Sequence, residues 1–247
     1  MARLRYLILS DQHANAQAFD AVIADATALG YDAVLVLGDL VGYGADPAYV
    51  IDRTLSLSPV AIIRGNHDKV CAGLETALLF NDAARASAEW TASILSEAHL
   101  GILRSLPQGP VQVSDDIEIC HGTPFDEDHY VFDDGDASRA ADAASRRICL
   151  FGHTHVPAVY ATAQDPVVAS DRFEDELRLP ADAPVLINVG SVGQPRDGDP
   201  RAAYGLLEMP GGVIRLRRVA YDVKGAQAAI LKAGLPAWLA LRLERGQ

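Results

Sequence analysis

Five short stretches carry side chains able to do chemistry: Asp11-Gln12-His13, Gly38-Asp39, Gly65-Asn66-His67-Asp68, His121-Gly122 and Gly152-His153-Thr154-His155. They hold five of the seven histidines, and only His99 and His129 lie elsewhere. Each follows an apolar, strand-like run directly. Ligands of open α/β sheets bind outside the carboxyl ends of the strands, so five such tips can converge on one crevice. Carboxylate, imidazole and amide groups together make a mixed nitrogen and oxygen set that suits borderline transition metals; calcium and magnesium prefer oxygen. Asp-x-His and His-x-His put alternate residues on one side of an extended segment, which predicts that both members of each pair face one cluster. Any one of these histidines alone reads as an ordinary hydrogen-bonded residue; the metal reading rests on the set. No Gly-x-Ser-x-Gly elbow and no Gly-x-x-x-x-Gly-Lys loop is present to suggest a protein nucleophile or a phosphate cradle.

The elements that must position these tips follow from the apolar pattern. Leu4 to Leu9, Ala33 to Leu37 and Val60 to Ile63 read as buried strands. Helices separate them: Ala16 to Leu29, capped by Asn15 and ended by Gly30, and a second that opens at Asp46-Pro47. This alternation predicts a mainly parallel sheet over roughly the first 66 residues. Asn81 to Leu106 reads as one or two helices stopped by Pro107. The strand candidates beyond it are 111–113, 117–120, 148–151, 156–161, 185–189, 204–208 and 213–220, with a helix over 137–146. They predict a β-rich layer packed face to face on the first sheet. Residues 164–183 read as an acid-rich surface excursion, and 222–247 as helix broken at Gly234-Leu235-Pro236. Without a linker, repeat or low-complexity tract, residues 1–247 are expected to form one domain.

The composition narrows the function. In 247 residues, 21 Lys+Arg stand against 33 Asp+Glu, a formal charge of −12. That balance excludes the usual basic footprint of a binder of polymeric nucleic acid. Three cysteines, Cys71, Cys120 and Cys149, are too few and too odd in number for a disulfide framework. No stretch resembles a signal peptide or a membrane span, so a cytoplasmic protein without a membrane partner is expected.

In order and spacing, Asp11-x-His13, Gly38-Asp39-x-x-x-x-Gly44, Gly65-Asn66-His67-Asp68, His121-Gly122 and Gly152-His153-x-His155 resemble the motif set of the calcineurin-like metallophosphoesterases. The segment Asn188 to Arg196 resembles one found in small bacterial members. The resemblance implies a four-layer αββα sandwich, with two mixed sheets flanked by helices and a two-metal site between the sheets. It implies that Asp11, His13, Asp39 and His155 hold one ion and that Asp39, Asn66, His121 and His153 hold the other, Asp39 bridging. His67 is implied to act free of the ions, as proton donor to the leaving oxygen or clamp on developing charge. The ions are expected to be divalent transition metals such as Mn, Fe, Zn or Ni.

Two departures bear on the substrate. The Ser/Thr phosphatases of this superfamily usually show Gly-Asp-x-Val-Asp-Arg-Gly, whose second Asp supports the catalytic histidine and whose Arg grips phosphate; here those positions are Gly42 and Tyr43. Ala14 stands where glycine often follows Asp-x-His, a local change that alanine tolerates where φ is not positive. Asn66, Asn15, Arg64 and Arg196 are the candidate substrate contacts. Asn15 reads equally as a helix cap, and both arginines as ion-pair partners. Residues 126–136, with His129, Tyr130 and Phe132, are either a specificity loop or a solvated acidic one. With one proton donor and little arginine, the expected activity is hydrolysis of small phosphate esters, diesters before monoesters. The alternatives are a phosphomonoesterase, including a bacterial Ser/Thr protein phosphatase, a dinucleoside polyphosphate hydrolase, or a non-catalytic scaffold. The sequence leaves the oligomeric state open.

Overall fold

The computed structural model of the protein describes residues 3–161 and 176–247. The first half builds β1 (Leu4–Leu9), α1 (Ala16–Leu29), β2 (Ala33–Val36), α2 (Pro47–Ser56) and β3 (Ala61–Ile62). β1 pairs in parallel with β2, and β2 with β3, as the alternating pattern predicts. The α1 start is fixed by Asn15, whose side chain accepts from the Ala18 N–H at 3.1 Å. The stretch after residue 81 forms two helices, α4 (Asp82–Ile94) and α5 (Glu97–Ser105). The break falls where Leu95 turns extended and Ser96 caps the next start through the His99 N–H.

The remaining strands are β4 (Val111–Gln112), β5 (Ile117–Ile119), β6 (Ile148–Phe151), β7 (Ala158–Ala161), β8 (Glu176–Arg178), β9 (Val185–Asn188), β10 (Ala202–Met209) and β11 (Val213–Val219). They do not form one separate layer, as the sequence pattern predicted. β10 pairs antiparallel with β1, and β11 and β8 follow it, giving a six-stranded mixed sheet in the order β3-β2-β1-β10-β11-β8. The other sheet is β4-β5-β6-β9-β7. The reason lies in β10, whose first six residues are all buried; such a strand needs neighbours on both edges and cover on both faces. β8 lies inside the expected acid-rich excursion, whose residues 164–175 fall outside the described residues.

Strand alternation divides each sheet between two cores. Leu7, Leu9, Val34, Val36, Tyr204 and Leu206 pack under α1, α2 and α5. Their neighbours Ile8, Leu35 and Leu207 face Ile119, Ile148, Leu150 and Ile187 of the second sheet. On that sheet's outer side, Cys149, Phe151 and Leu186 meet α6 (Asp134–Ala143), which starts three residues before the predicted helix because Asp133 caps it. The result is helix, sheet, sheet, helix, the expected four-layer order. Each fully buried Leu or Ile on these faces contributes about 1.5–3 kcal/mol. The chain closes with α7 (Val223–Lys232) and α8 (Ala237–Leu241), which pack on Tyr43 and Ala84. Among the described residues no helix is long and apolar enough to cross a membrane.

Candidate metal centre

The tips of β1 and β2 are laced together before any side chain is considered. Asp11 N–H donates to the Gly38 carbonyl at 3.0 Å, His13 N–H to Asp39 at 2.9 Å and Ala14 N–H to Leu40 at 2.9 Å. The pairs do not converge through strand alternation as predicted. Asp11, His13, Asp39, His153 and His155 all have φ between 46° and 65°, in the left-handed region. Each such residue costs about 1–2 kcal/mol, and these turns point the side chains inward just past the strand ends. Ala14 is among them at φ 49°, so alanine here does occupy the conformation that favours glycine. A short helix the sequence pattern did not predict, α3 (Asn66–Cys71), carries Asn66 and His67. It approaches Asp39 so closely that a Cβ on Gly65 would lie 2.2 Å from Asp39 Oδ1. Asp68, buried, accepts from the Gly65 N–H at 3.0 Å and the Val41 N–H at 3.2 Å, tying α3 to the β2 tip.

Two donor groups result. Asp11, His13, Asp39 and His155 have ligand atoms within 4.8 Å of one another, and so do Asp39, His121 and His153. Asn66 joins the second through Oδ1, 3.3 Å from His121 Nε2. The ring orientations suit a cation. His13 and His155 each give the Nδ1–H to a carbonyl, Val41 at 3.0 Å and Gln194 at 2.6 Å. Their bare Nε2 atoms therefore face each other at 3.1 Å. His121 is held the same way, by the Leu37 carbonyl at 2.7 Å. His153 is reversed: Nε2 is 3.1 Å from the Asp128 carbonyl, which leaves Nδ1 as its ligand atom. Such carbonyl partners fix tautomer and orientation in metal-binding histidines. The residues present thus fit two divalent ions.

Electrostatics agree. Burial drives the His13, His153 and His155 imidazoles well below their ordinary range, leaving them neutral. His121 goes the other way: burial opposes its charge, but Asp39 and Asp11 lift it to about 10. Burial pushes Asp11 up to about 7, with Asp39 adding to the push. Burial also opposes ionisation of Asp39, yet His121, His67 and His13 hold it well below the usual carboxylate range.

The other predicted residues separate. His67 and Arg196 line one crevice of about 90 Å³ together with Asp39, Asn66, His153 and His155. His67 Nδ1 is buried without a hydrogen-bond partner, and its ring lies between Tyr43 and Phe80, with centroids 4.3 and 4.5 Å away. A Cβ on Gly42 would lie 2.3 Å from that Nδ1, so no side chain fits where the phosphatases place their supporting Asp. Arg196 lies 5.7 Å from the Tyr43 ring centroid, donates to Gln194 Oε1 at 3.1 Å and keeps a buried Nε without a partner. Arg64 and Asn15 are placed otherwise. Arg64 makes a two-point ion pair with Glu127, at 3.0 and 3.1 Å, and is not among the crevice's lining residues. The amide of Asn15 is used in the α1 cap and on the Gly193 carbonyl at 2.8 Å. Two residues escaped the sequence reading. Phe80 has no motif to mark it, and the Asp128 carbonyl, a backbone group, leaves none.

Paired sheets with a carboxylate and histidine centre at their strand ends define a metallophosphoesterase class of hydrolase. The chain belongs to the calcineurin-like phosphoesterase superfamily, whose domain model matches residues 4–211, and it is accordingly a phosphoester hydrolase. It is similar to the crystal structure of a metallophosphoesterase from Sphaerobacter thermophilus, with 34% identity, a TM-score of 0.88 and full coverage of both chains. It is also 32% identical, over all of both chains, to the uncharacterized protein MJ0912 of Methanocaldococcus jannaschii. Protein PH1004 of Pyrococcus horikoshii shares the fold at 19% identity, a TM-score of 0.77 and 98% coverage of each chain.

Proposed function

We propose that this protein hydrolyses small phosphodiesters in the crevice shared by Asp39, His67 and Arg196. The observation that carries the reading is the meeting of the two donor groups, one unpaired histidine and one arginine in a single crevice of about 90 Å³. Asp11, His13, Asp39 and His155 would hold one divalent ion and Asp39, Asn66, His121 and His153 the other. When bound, such ions lower the pKa of water and neutralise phosphoryl charge.

The chain's own groups do the rest. Arg196, which lines the crevice, grips a phosphoryl oxygen through its guanidinium N–H groups. Burial lowers His67 to about 4, against the pull of Asp39, so the free enzyme holds it neutral. A phosphodiester anion beside it favours the imidazolium. His67 then takes up a proton with substrate and passes it to the leaving oxygen as the P–O bond breaks. Water supplies the oxygen that replaces the departing alcohol and releases a proton to solvent, which restores the one His67 took up. Tyr43 and Phe80 hold the ring in place for that transfer. The diester preference rests on charge: Arg196 is the arginine of this crevice, Arg64 being engaged by Glu127, and a diester monoanion demands less positive charge than a monoester dianion.

The test is hydrolysis of bis(p-nitrophenyl) phosphate and p-nitrophenyl phosphate by chelator-treated protein given Mn²⁺, Ni²⁺, Zn²⁺ or Mg²⁺. Faster metal-dependent turnover of the diester is expected. Faster turnover of the monoester would replace this reading by a phosphomonoesterase.

A further inference from the structure

A second cavity opens beside the crevice. It measures about 260 Å³, slightly below the roughly 300 Å³ at which pockets for drug-sized ligands begin. Asn66, Leu79, Phe80, Tyr130 and His153 line both spaces, so the cavity continues the site. Phe80 matters most in that set, because its ring also touches His67, the group placed next to the leaving oxygen.

One wall is flat. Tyr130 lies on the His153 ring, with centroids 3.8 Å apart, and Phe132 stacks on Tyr130 with ring planes within 3°. Phe132 is 75% exposed, and Leu79, a lining residue, is 90% exposed, so large apolar groups stand in water around the opening. The floor is not basic. Lys69 is the cation lining the cavity, and Glu75, Glu127 and Asp128 hold its ammonium at 2.7, 3.2 and 2.6 Å. Glu127 is shared with Arg64, so three carboxylates meet two cations there and one net negative charge remains.

We infer that this cavity binds the leaving group of the substrate and selects a flat, uncharged aromatic one, about the size of a single ring system. The Phe80 and Tyr130 rings and Leu79 favour a planar ring, and such aromatic contact is tolerant of ring chemistry. The carboxylates around Lys69 repel a leaving group that carries further phosphate, and Glu75 and the Thr76 hydroxyl offer acceptors to a ring N–H. The inference rests on the phosphodiesterase reading and narrows its substrate class.

The test compares methyl p-nitrophenyl phosphate with methyl trifluoroethyl phosphate on the Mn²⁺-loaded enzyme, in wild type, Thr76→Trp and Tyr130→Leu. The first variant fills the cavity away from the metal ligands. The second removes an aromatic lining ring, and its bound Mn²⁺ is measured alongside. The ratio of kcat/KM for the aryl ester over the alkyl ester should fall about tenfold in each. An unchanged ratio in Thr76→Trp would overturn the inference while leaving the hydrolase reading intact. Failure of the wild type to cleave either ester would overturn that reading and the inference with it.

Discussion

His13 Nε2 and His155 Nε2 lie 3.1 Å apart across 142 residues of sequence, each turned inward by a backbone carbonyl on its Nδ1. Two neutral imidazoles presenting lone pairs to each other, with buried carboxylates of Asp11 and Asp39 within 3.4–3.5 Å, crowd acceptors into one site. A cation between them relieves that repulsion. Binding of an ion to the folded form alone adds about 2.7 kcal/mol of stability at a free concentration one hundred times Kd. Chelator-treated protein should therefore gain several degrees in Tm when Mn²⁺ is added, and His155→Ala should lose most of that gain. Equal shifts in both proteins, read by thermal denaturation, would contradict the assignment.

Metal affinity should rise with pH. Without an ion, His121 is held protonated up to about 10 and Asp11 titrates near 7, yet both must give up protons to become ligands. Below those values, binding has to displace protons, so affinity falls as pH falls. Calorimetric titration with Zn²⁺ at neutral pH, in two buffers of different ionisation enthalpy, should report net proton release of at least about one per protein. Zero release, with the same affinity from pH 6 to 8, would count against this ligand set.

Gly42 should be hard to replace. Its φ is 86°, and an added Cβ would press to 2.3 Å from His67 Nδ1, a ring already packed between Tyr43 and Phe80. Gly42→Ala should cost about 1–3 kcal/mol of stability and displace the imidazole. Turnover should then fall at least about tenfold, with bound metal largely kept. Wild-type stability and rate in that variant would show that the ring has room.

His67 and Arg196 have separable roles. His67→Gln should lower kcat by about 10²–10⁴ and leave metal content unchanged, because His67 is not in either donor group. Arg196→Lys keeps the charge but loses the planar fork, so a rise in KM is expected as well as a fall in kcat. Metal analysis beside steady-state kinetics checks both, and loss of metal in His67→Gln would reassign that residue.

Much of this was legible in the sequence because the reactive residues sit at strand ends, where an apolar run stops and a polar tip begins. β1, β6 and the Asn15 cap follow from that local pattern. What was not legible depends on pairing partners far away in the chain. Nothing in Ala202–Met209 says that it lies beside β1, so the sharing of later strands between two sheets came only from the structure. The positive φ of Ala14 likewise follows from hydrogen bonds to the β2 tip, not from alanine. Arg64 and Arg196 look alike as sequence. Glu127, 63 residues from Arg64, pairs with one of them, while the other is left with a buried Nε that has no partner.

The proposed ligand set, Asp11, His13, Asp39, Asn66, His121, His153 and His155, would hold the ions on which the proposed phosphodiester cleavage depends. Its most direct test is to titrate chelator-treated protein with Mn²⁺ while recording bound metal and the rate of bis(p-nitrophenyl) phosphate hydrolysis on the same samples. The rate should climb from near zero with occupancy and level off when both donor groups are filled, and Asp39→Asn should both bind less metal and turn over less. Full hydrolysis by the metal-free protein, or by an Asp39→Asn variant that binds no metal, would contradict it.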